Sequence, residues 1–342
     1  MSNSGFSYTG RHSYSSAQSY AGAASYMGAA GSAGYDGQFG GNPLLAQGLQ
    51  STREDLLGCL SGEERAAAGE LLQQPIWKDP ADDGLPRPET VTRLTRHGRE
   101  VRAALYQFEL LSHVQFKLGG GAGLRYAELH VETGKGRAKL MSVTRPTRPY
   151  FEQHLRRVQA MAPLRESRMA EILTQVTPPM AYFASLLNLQ EGRHAKTLEL
   201  LQTALQFSYA VCMRFKHGLA VPRPSEHSSQ VQPMLEVPLH PAYPAGPALE
   251  AHVSAVLLGA LANAPALQQR LLRRLATRIA ENRVVAGLHF PIDCTAGRLM
   301  GDALASYFLA ICRPDSGWRG GCFDGAALDP ATAGEQEFTA RL

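Results

Sequence analysis

Apolar residues recur three and four positions apart through most of the chain beyond residue 148. That spacing predicts helices over Tyr150–Met161, Glu166–Val176, Met180–Leu189, Lys196–His217, Pro247–Ala262, Pro265–Asn282 and Asp293–Ile311. Prolines and glycine-bearing loops punctuate them. Upstream, Val91–Phe116 also carries helical spacing, after a polar, proline-rich connection over Lys78–Glu89. Ser51-Thr-Arg-Glu54 and Ser61-Gly-Glu-Glu64 each read as a helix start. The serine oxygen would accept from the third helical amide while the glutamate reaches back. The period shortens to alternation only between Tyr126 and Val143, around Gly134-Lys135-Gly136, which predicts one small β-hairpin. Gly119–Gly123 reads as a loop. The expected fold class is all-α, a helical bundle with that single hairpin.

Residues 1–42 are a different material. Only Arg11 and Asp36 are charged, and Ser-Tyr pairs recur every six residues at Tyr8, Tyr14, Tyr20 and Tyr26. Six matches neither the helical period nor an established solenoid, and the glycines oppose both helix and strand. A disordered tail over 1–42 is expected, followed by one helical domain over 43–342. The tyrosines are candidate contacts for docking or self-association.

Charge and cysteine content narrow the classes of partner. The 342 residues hold 34 Lys+Arg against 30 Asp+Glu, a net +4. That excess argues for no nucleic acid. No apolar run reaches the ~18–20 residues of a membrane span. Without a basic-then-apolar leader either, the expectation is a soluble, cytoplasmic protein. Five scattered cysteines, with no Cys-x-x-Cys pair, form neither a disulfide framework nor a zinc site, so reduced and mostly buried thiols are expected. Arg270, Arg273, Arg274 and Arg278 share a helix with leucines and read as its solvated face.

Candidate chemistry concentrates in 210–300. Lys216 is followed seven positions on by Arg223-Pro224. The second segment, His240-Pro-Ala-Tyr-Pro-Ala245-Gly246-Pro247, opens a helix. The third runs Asn282-Arg283, then His289, then Asp293. Lys216, Arg223 and Arg283 are three cations able to converge on the oxygens of a tetrahedral anion. Gly246 at a helix start would expose backbone N–H groups. His289 would offer a ring nitrogen to the central atom, and Asp293, one helical turn on, would hold the other nitrogen and fix the tautomer.

These segments resemble the signature of the vanadium-dependent haloperoxidase and type 2 phosphatidic acid phosphatase superfamily, Lys-x6-Arg-Pro, Pro-Ser-Gly-His and Ser-Arg-x5-His-x3-Asp. The flanks, over Met180–Arg223, Gln232–Gly259 and Arg278–Gly301, are similar to its soluble haloperoxidase branch. The resemblance implies a haloperoxidase-type helical bundle. It makes Lys216, Arg223 and Arg283 oxyanion-binding cations and Gly246 a backbone donor. His289 becomes the axial ligand of vanadate, or the phosphoryl-accepting nucleophile, and Asp293 its orienting carboxylate. It implies vanadate as cofactor, an oxyanion or small-molecule substrate, and a fold compatible with a homodimer.

The second segment departs from the family. Ala245 replaces the serine hydroxyl and Pro247 the imidazole that serves acid–base chemistry, help worth about 10²–10⁴-fold. His240 and His227, both on loops, are the candidate substitute acids; Asn282 stands where serine is usual. Three readings follow. The first is a haloperoxidase-like oxidoreductase with a rearranged acid. The second is a vanadium-free enzyme of the same fold, a phosphatase included. The third is an inactive relative, binding no vanadate and acting through its tail as an assembly module.

Overall fold

The computed structural model describes residues 61–64, 66, 94, 97–121, 124–133, 136–176, 180–312, 317 and 320–325. They fall into two units, one within Ala24–Leu105 and one from Tyr106 onward. In the first, the start expected at Ser61 forms as a capping box: Glu64 N donates to Ser61 Oγ at 3.3 Å and Ser61 N to Glu64 Oε2 at 2.9 Å. The 1–42 segment, the start at Ser51 and the Lys78–Glu89 connection lie outside the described residues.

From helix α1 (Arg99–Ser112) the chain enters strands β1 (Val114–Gly121), β2 (Leu124–Thr133) and β3 (Gly136–Thr144). The expected hairpin is β2–β3, with Thr133 opposite Gly136. It belongs to a larger sheet, ordered β1-β2-β3-β4, in which β4 (Gly321–Asp324) runs parallel to β3. Two expectations are corrected here. Val114–Phe116 is strand rather than the end of a helix, and Gly119–Gly121 is strand rather than loop. Gly119 lies opposite Tyr126, whose ring fills the space a Cβ would take. An aromatic side chain covering a cross-strand glycine lets the glycine stay in the ladder. In β2, Ala127, Leu129 and Val131 point inward and are buried, the period-two pattern of a sheet with one covered face.

The rest is helical: α2 (Arg148–Ala160), α3 (Arg165–Thr174), α4 (Met180–Leu187), α5 (Glu191–Leu219), α6 (Pro224–His227), α7 (Gly246–Leu261), α8 (Ala266–Val285) and α9 (Pro291–Cys312). The molecule is mostly helical with one small sheet. Helix α7 is the centre. Its sequence is apolar nearly all round, as a helix covered on every side must be. It packs on α5, α8 and α9. Its approach to α9 requires glycine at two positions: a Cβ on Gly297 would strike the carbonyl oxygen of Ala245, and one on Gly301 would come 2.5 Å from that of Leu249. This closeness lets Ala245 N donate to Asp293 O at 2.8 Å, locking the start of α7 to the start of α9.

The basic face of α8 is only partly solvated. Arg278 holds Glu171 of α3 through both oxygens, at 2.8 and 2.9 Å, and Arg273 holds Asp302 of α9 at 3.0 Å. The Arg278 pairing draws the Glu171 carboxyl down to about 2. Among the four described cysteines all are free, but Cys312 and Cys322 are exposed rather than buried. No helix among the described residues is long and apolar enough to cross a membrane.

Candidate functional site

Local backbone rules explain the spacing of the third segment. Helix α8 ends in a Schellman motif: Leu288 N donates to Arg283 O at 3.0 Å and Gly287 N to Val284 O at 2.9 Å. Gly287 adopts φ +78°, where a side chain would be strained. The chain thereby reverses and brings His289 back toward Arg283. Helix α9 begins at once with Pro291 at its first position, where a missing N–H costs nothing. Asp293 Oδ2 then accepts from Phe290 N at 2.9 Å, the backward reach of a helix cap, and lies 3.1 Å from His289 Nδ1. One carboxylate thus starts the helix and orients the imidazole.

Lys216 occupies the last turn of α5, which closes on Ala220 in the left-handed conformation. Its Nζ donates to the carbonyls of Pro241 and Ala242 at 2.9 and 2.7 Å. Arg223 donates from Nε to Pro238 O and His240 O, both at 3.2 Å, and from Nη1 to Leu288 O at 2.9 Å. The two cations therefore strap the 238–242 loop across the site. Arg223 Nη1 also lies 3.4 Å from His289 Nε2, and Nη2 lies 3.2 Å from His240 Nδ1. Arg283 Nη2 donates to Ile172 O at 3.1 Å and to Gln175 Oε1 at 3.4 Å. Asn282 serves that contact: its Nδ2 donates to Gln175 Oε1 and Glu171 Oε2, both at 2.9 Å, fixing the glutamine that meets Arg283.

Lys216, Arg223, Arg283, His289, Gly246 and His240 line one small cavity of about 10 Å³, enough for about one water. The three cations are at most 1% exposed, Asp293 is fully buried and His289 is 3% exposed. Burial pushes Lys216 down to about 8, with Arg223 adding to the effect while Cys212, Asp293 and Glu250 oppose it. Burial likewise holds the His289 ring well below its ordinary value, reinforced by Arg223 and Lys216. His289 is therefore a neutral imidazole. With Nδ1–H directed at Asp293, its Nε2 carries the lone pair and faces Arg223.

Pro247 also lines the cavity and, with Ala245 buried at the N-cap of α7, offers no side-chain donor. His240 stands at the cavity; burial and the neighbouring Lys216 take its ring down to about 4, and its buried Nε2 has no hydrogen-bond partner. His240 Nδ1 lies between Arg223 Nη2, at 3.2 Å, and the carbonyl oxygen of Pro241, at 3.1 Å. At pH 7 His240 is a neutral ring rather than an imidazolium acid. His227, the other expected substitute, ends helix α6 rather than lying on a loop, and does not line this cavity. It stacks on Phe151 at 5.4 Å, meets Phe290 edge-on at 5.6 Å, and lines a separate groove of about 630 Å³ with Arg145 and Arg148. His252 faces away from the cavity, with Nδ1 3.8 Å from Asp302.

The sequence reading passed over Glu250. It lies one turn beyond Pro247 on α7 and lines the cavity. Its Oε1 sits 3.8 Å from where a Cβ on Gly246 would be. The signal was the three-residue spacing from Pro247, which puts both on one helix face. Compared with known proteins, the chain matches no family model and no curated sequence.

Proposed function

We propose that the chain binds a tetrahedral oxyanion, phosphate or vanadate, in this cavity, and that the anion's central atom meets Nε2 of His289. The observation that carries this reading is a neutral imidazole, its lone pair held toward Arg223 by Asp293 in a cavity lined by three buried cations. A histidine used only for packing gains nothing from such company, whereas a nucleophile or ligand needs its lone pair available at neutral pH.

The residues fit vanadate or phosphate in charge and in donors. Lys216, Arg223 and Arg283 supply positive charge, His240 a neutral ring whose buried Nε2 has no partner, and Gly246 the start of a helix. The room is less generous, since about 10 Å³ takes one oxygen. Entry of all four oxygens requires His240 and Pro238 on the strapped loop to yield. Vanadate, when bound, supplies a Lewis-acidic centre for peroxide. The chain's own part is to bind and orient the anion, to exclude water and to keep His289 deprotonated at Nε2. Ala245 and Pro247 withdraw two donors from one wall and favour the redox-free reading, a phosphoryl-binding site, over halide oxidation.

Calorimetric titration of orthophosphate and then orthovanadate into the full chain tests the reading. His289→Ala is expected to weaken both anions about 10–100-fold, the worth of one bond to a charged partner. Heats indistinguishable from dilution for the wild type would exclude the site.

A further inference from the structure

The cavity wall formed by α7 contains no side-chain donor at Ala245 and no N–H at Pro247, yet one turn on it presents the carboxyl of Glu250. The same cavity is lined by Lys216 from α5, Arg223 and His240 from the loops, Arg283 from α8 and His289 at the entry to α9, and Cys212 of α5 lies beside Gly246 as the Glu250 carboxyl does. The Lys216 and Cys212 side chains both feel its charge. A carboxylate facing a bound dianion at this range is strongly unfavourable in a buried site, whereas a carboxylic acid in the same place is a hydrogen-bond donor.

We infer that Glu250 is the proton-carrying group of this cavity: it takes up one proton as a tetrahedral dianion binds and donates it as a hydrogen bond to the anion from the wall that Ala245 and Pro247 leave bare. This deepens the oxyanion reading and rests on it. The three cations, less the carboxylates of Asp293 and Glu250, leave one positive charge for a dianion; protonating Glu250 raises that to two. The proton comes from solvent and returns there on release, so no other reactant is needed.

Sulfate is the suitable probe, because unlike phosphate it has no proton of its own to exchange near neutrality. Its titration into the full chain, in two buffers of different ionisation enthalpy, reads the protons taken up. The wild type is expected to take up about one per sulfate, with affinity falling up to tenfold per pH unit between pH 6 and 7, below the range in which Lys216 itself titrates. Over that range Glu250→Gln, whose amide donates at every pH, is expected to bind with almost no uptake and a nearly flat profile, and about tenfold or more tighter than wild type at pH 7. Glu250→Ala is expected to lose both the uptake and the donor, binding more weakly than the glutamine variant. His240→Gln should keep the uptake. Uptake that survives in Glu250→Gln, or disappears only in His240→Gln, overturns the assignment to Glu250 while leaving the oxyanion site standing. No binding of sulfate or phosphate by the wild type overturns both.

Discussion

Replacing Arg223 with methionine is expected to destabilise the fold by about 3 kcal/mol or more. The guanidinium is buried and supplies the carbonyls of Pro238, His240 and Leu288 with donors. Each carbonyl left without a donor in the interior costs about 1–3 kcal/mol, and methionine, though similar in length, satisfies none of them. For a domain of this size each kcal/mol moves the thermal midpoint by roughly 2–4 °C, so a fall of about 6 °C or more is expected. Lysine is expected to rescue little, because one ammonium cannot span carbonyls on two sides of the cavity. Arg270→Met, on the exposed side of α8, is the contrast and should stay within about 0.5 kcal/mol. A thermal midpoint for Arg223→Met within 2 °C or so of wild type would mean that the loop is not strapped as described.

Acid is expected to unfold the protein in a steep transition between about pH 6 and 4.5. Burial takes His240 down to about 4 and His252 to about 3, and holds His289 well below its ordinary value. In the unfolded chain all three titrate near 6.5. Below that pH the unfolded state binds protons that the folded state refuses, so stability falls as pH drops toward the folded values. Each histidine contributes up to about 1.4 kcal/mol per pH unit, or about 4 together, against a total stability on the order of 5–15 kcal/mol. Glu171, drawn down to about 2 by Arg278, adds loss of the same sign below about 4.5. Asp302, whose carboxyl burial raises, acts in the opposite direction. Denaturant unfolding at half-unit pH steps measures the slope, and His252→Gln, outside the cavity, should remove about a third of it. A stability constant from pH 6.5 to 4.5 would contradict the burial of these rings as neutral groups.

The helical half of the fold was legible because its signals are local. The apolar period that predicts Pro247–Ala262 also forces α7 to be covered on all sides, and the observed Gly246–Leu261 differs by one residue at each end. The glycine run at 119–121 was not legible as strand, because what keeps it in the ladder is the ring of Tyr126 from the neighbouring strand. The parallel strand at Gly321–Asp324 lies 180 residues from its partner, beyond any local pattern.

The candidate site divides the same way. Arg-x5-His-x3-Asp is a spacing set by one Schellman turn and one helix start, and so can be read from the chain. The carbonyls that Lys216 and Arg223 seize, and the turning of His227 onto Phe151 and Phe290, depend on which loops meet in three dimensions. Glu250 was readable in principle, at helical spacing from Pro247, but that spacing alone does not show that this face of the helix lines the cavity.

The state of His289 decides the oxyanion reading, and long-range ¹H–¹⁵N correlation spectra of the ¹⁵N-labelled protein read it directly. At pH 7 a neutral ring is expected, with its proton on Nδ1 and a bare Nε2, and a large movement of the Nε2 resonance when orthovanadate or phosphate is added. A ring that titrates near its ordinary value, carries its proton on Nε2, or leaves its Nε2 resonance unmoved at millimolar anion would contradict it.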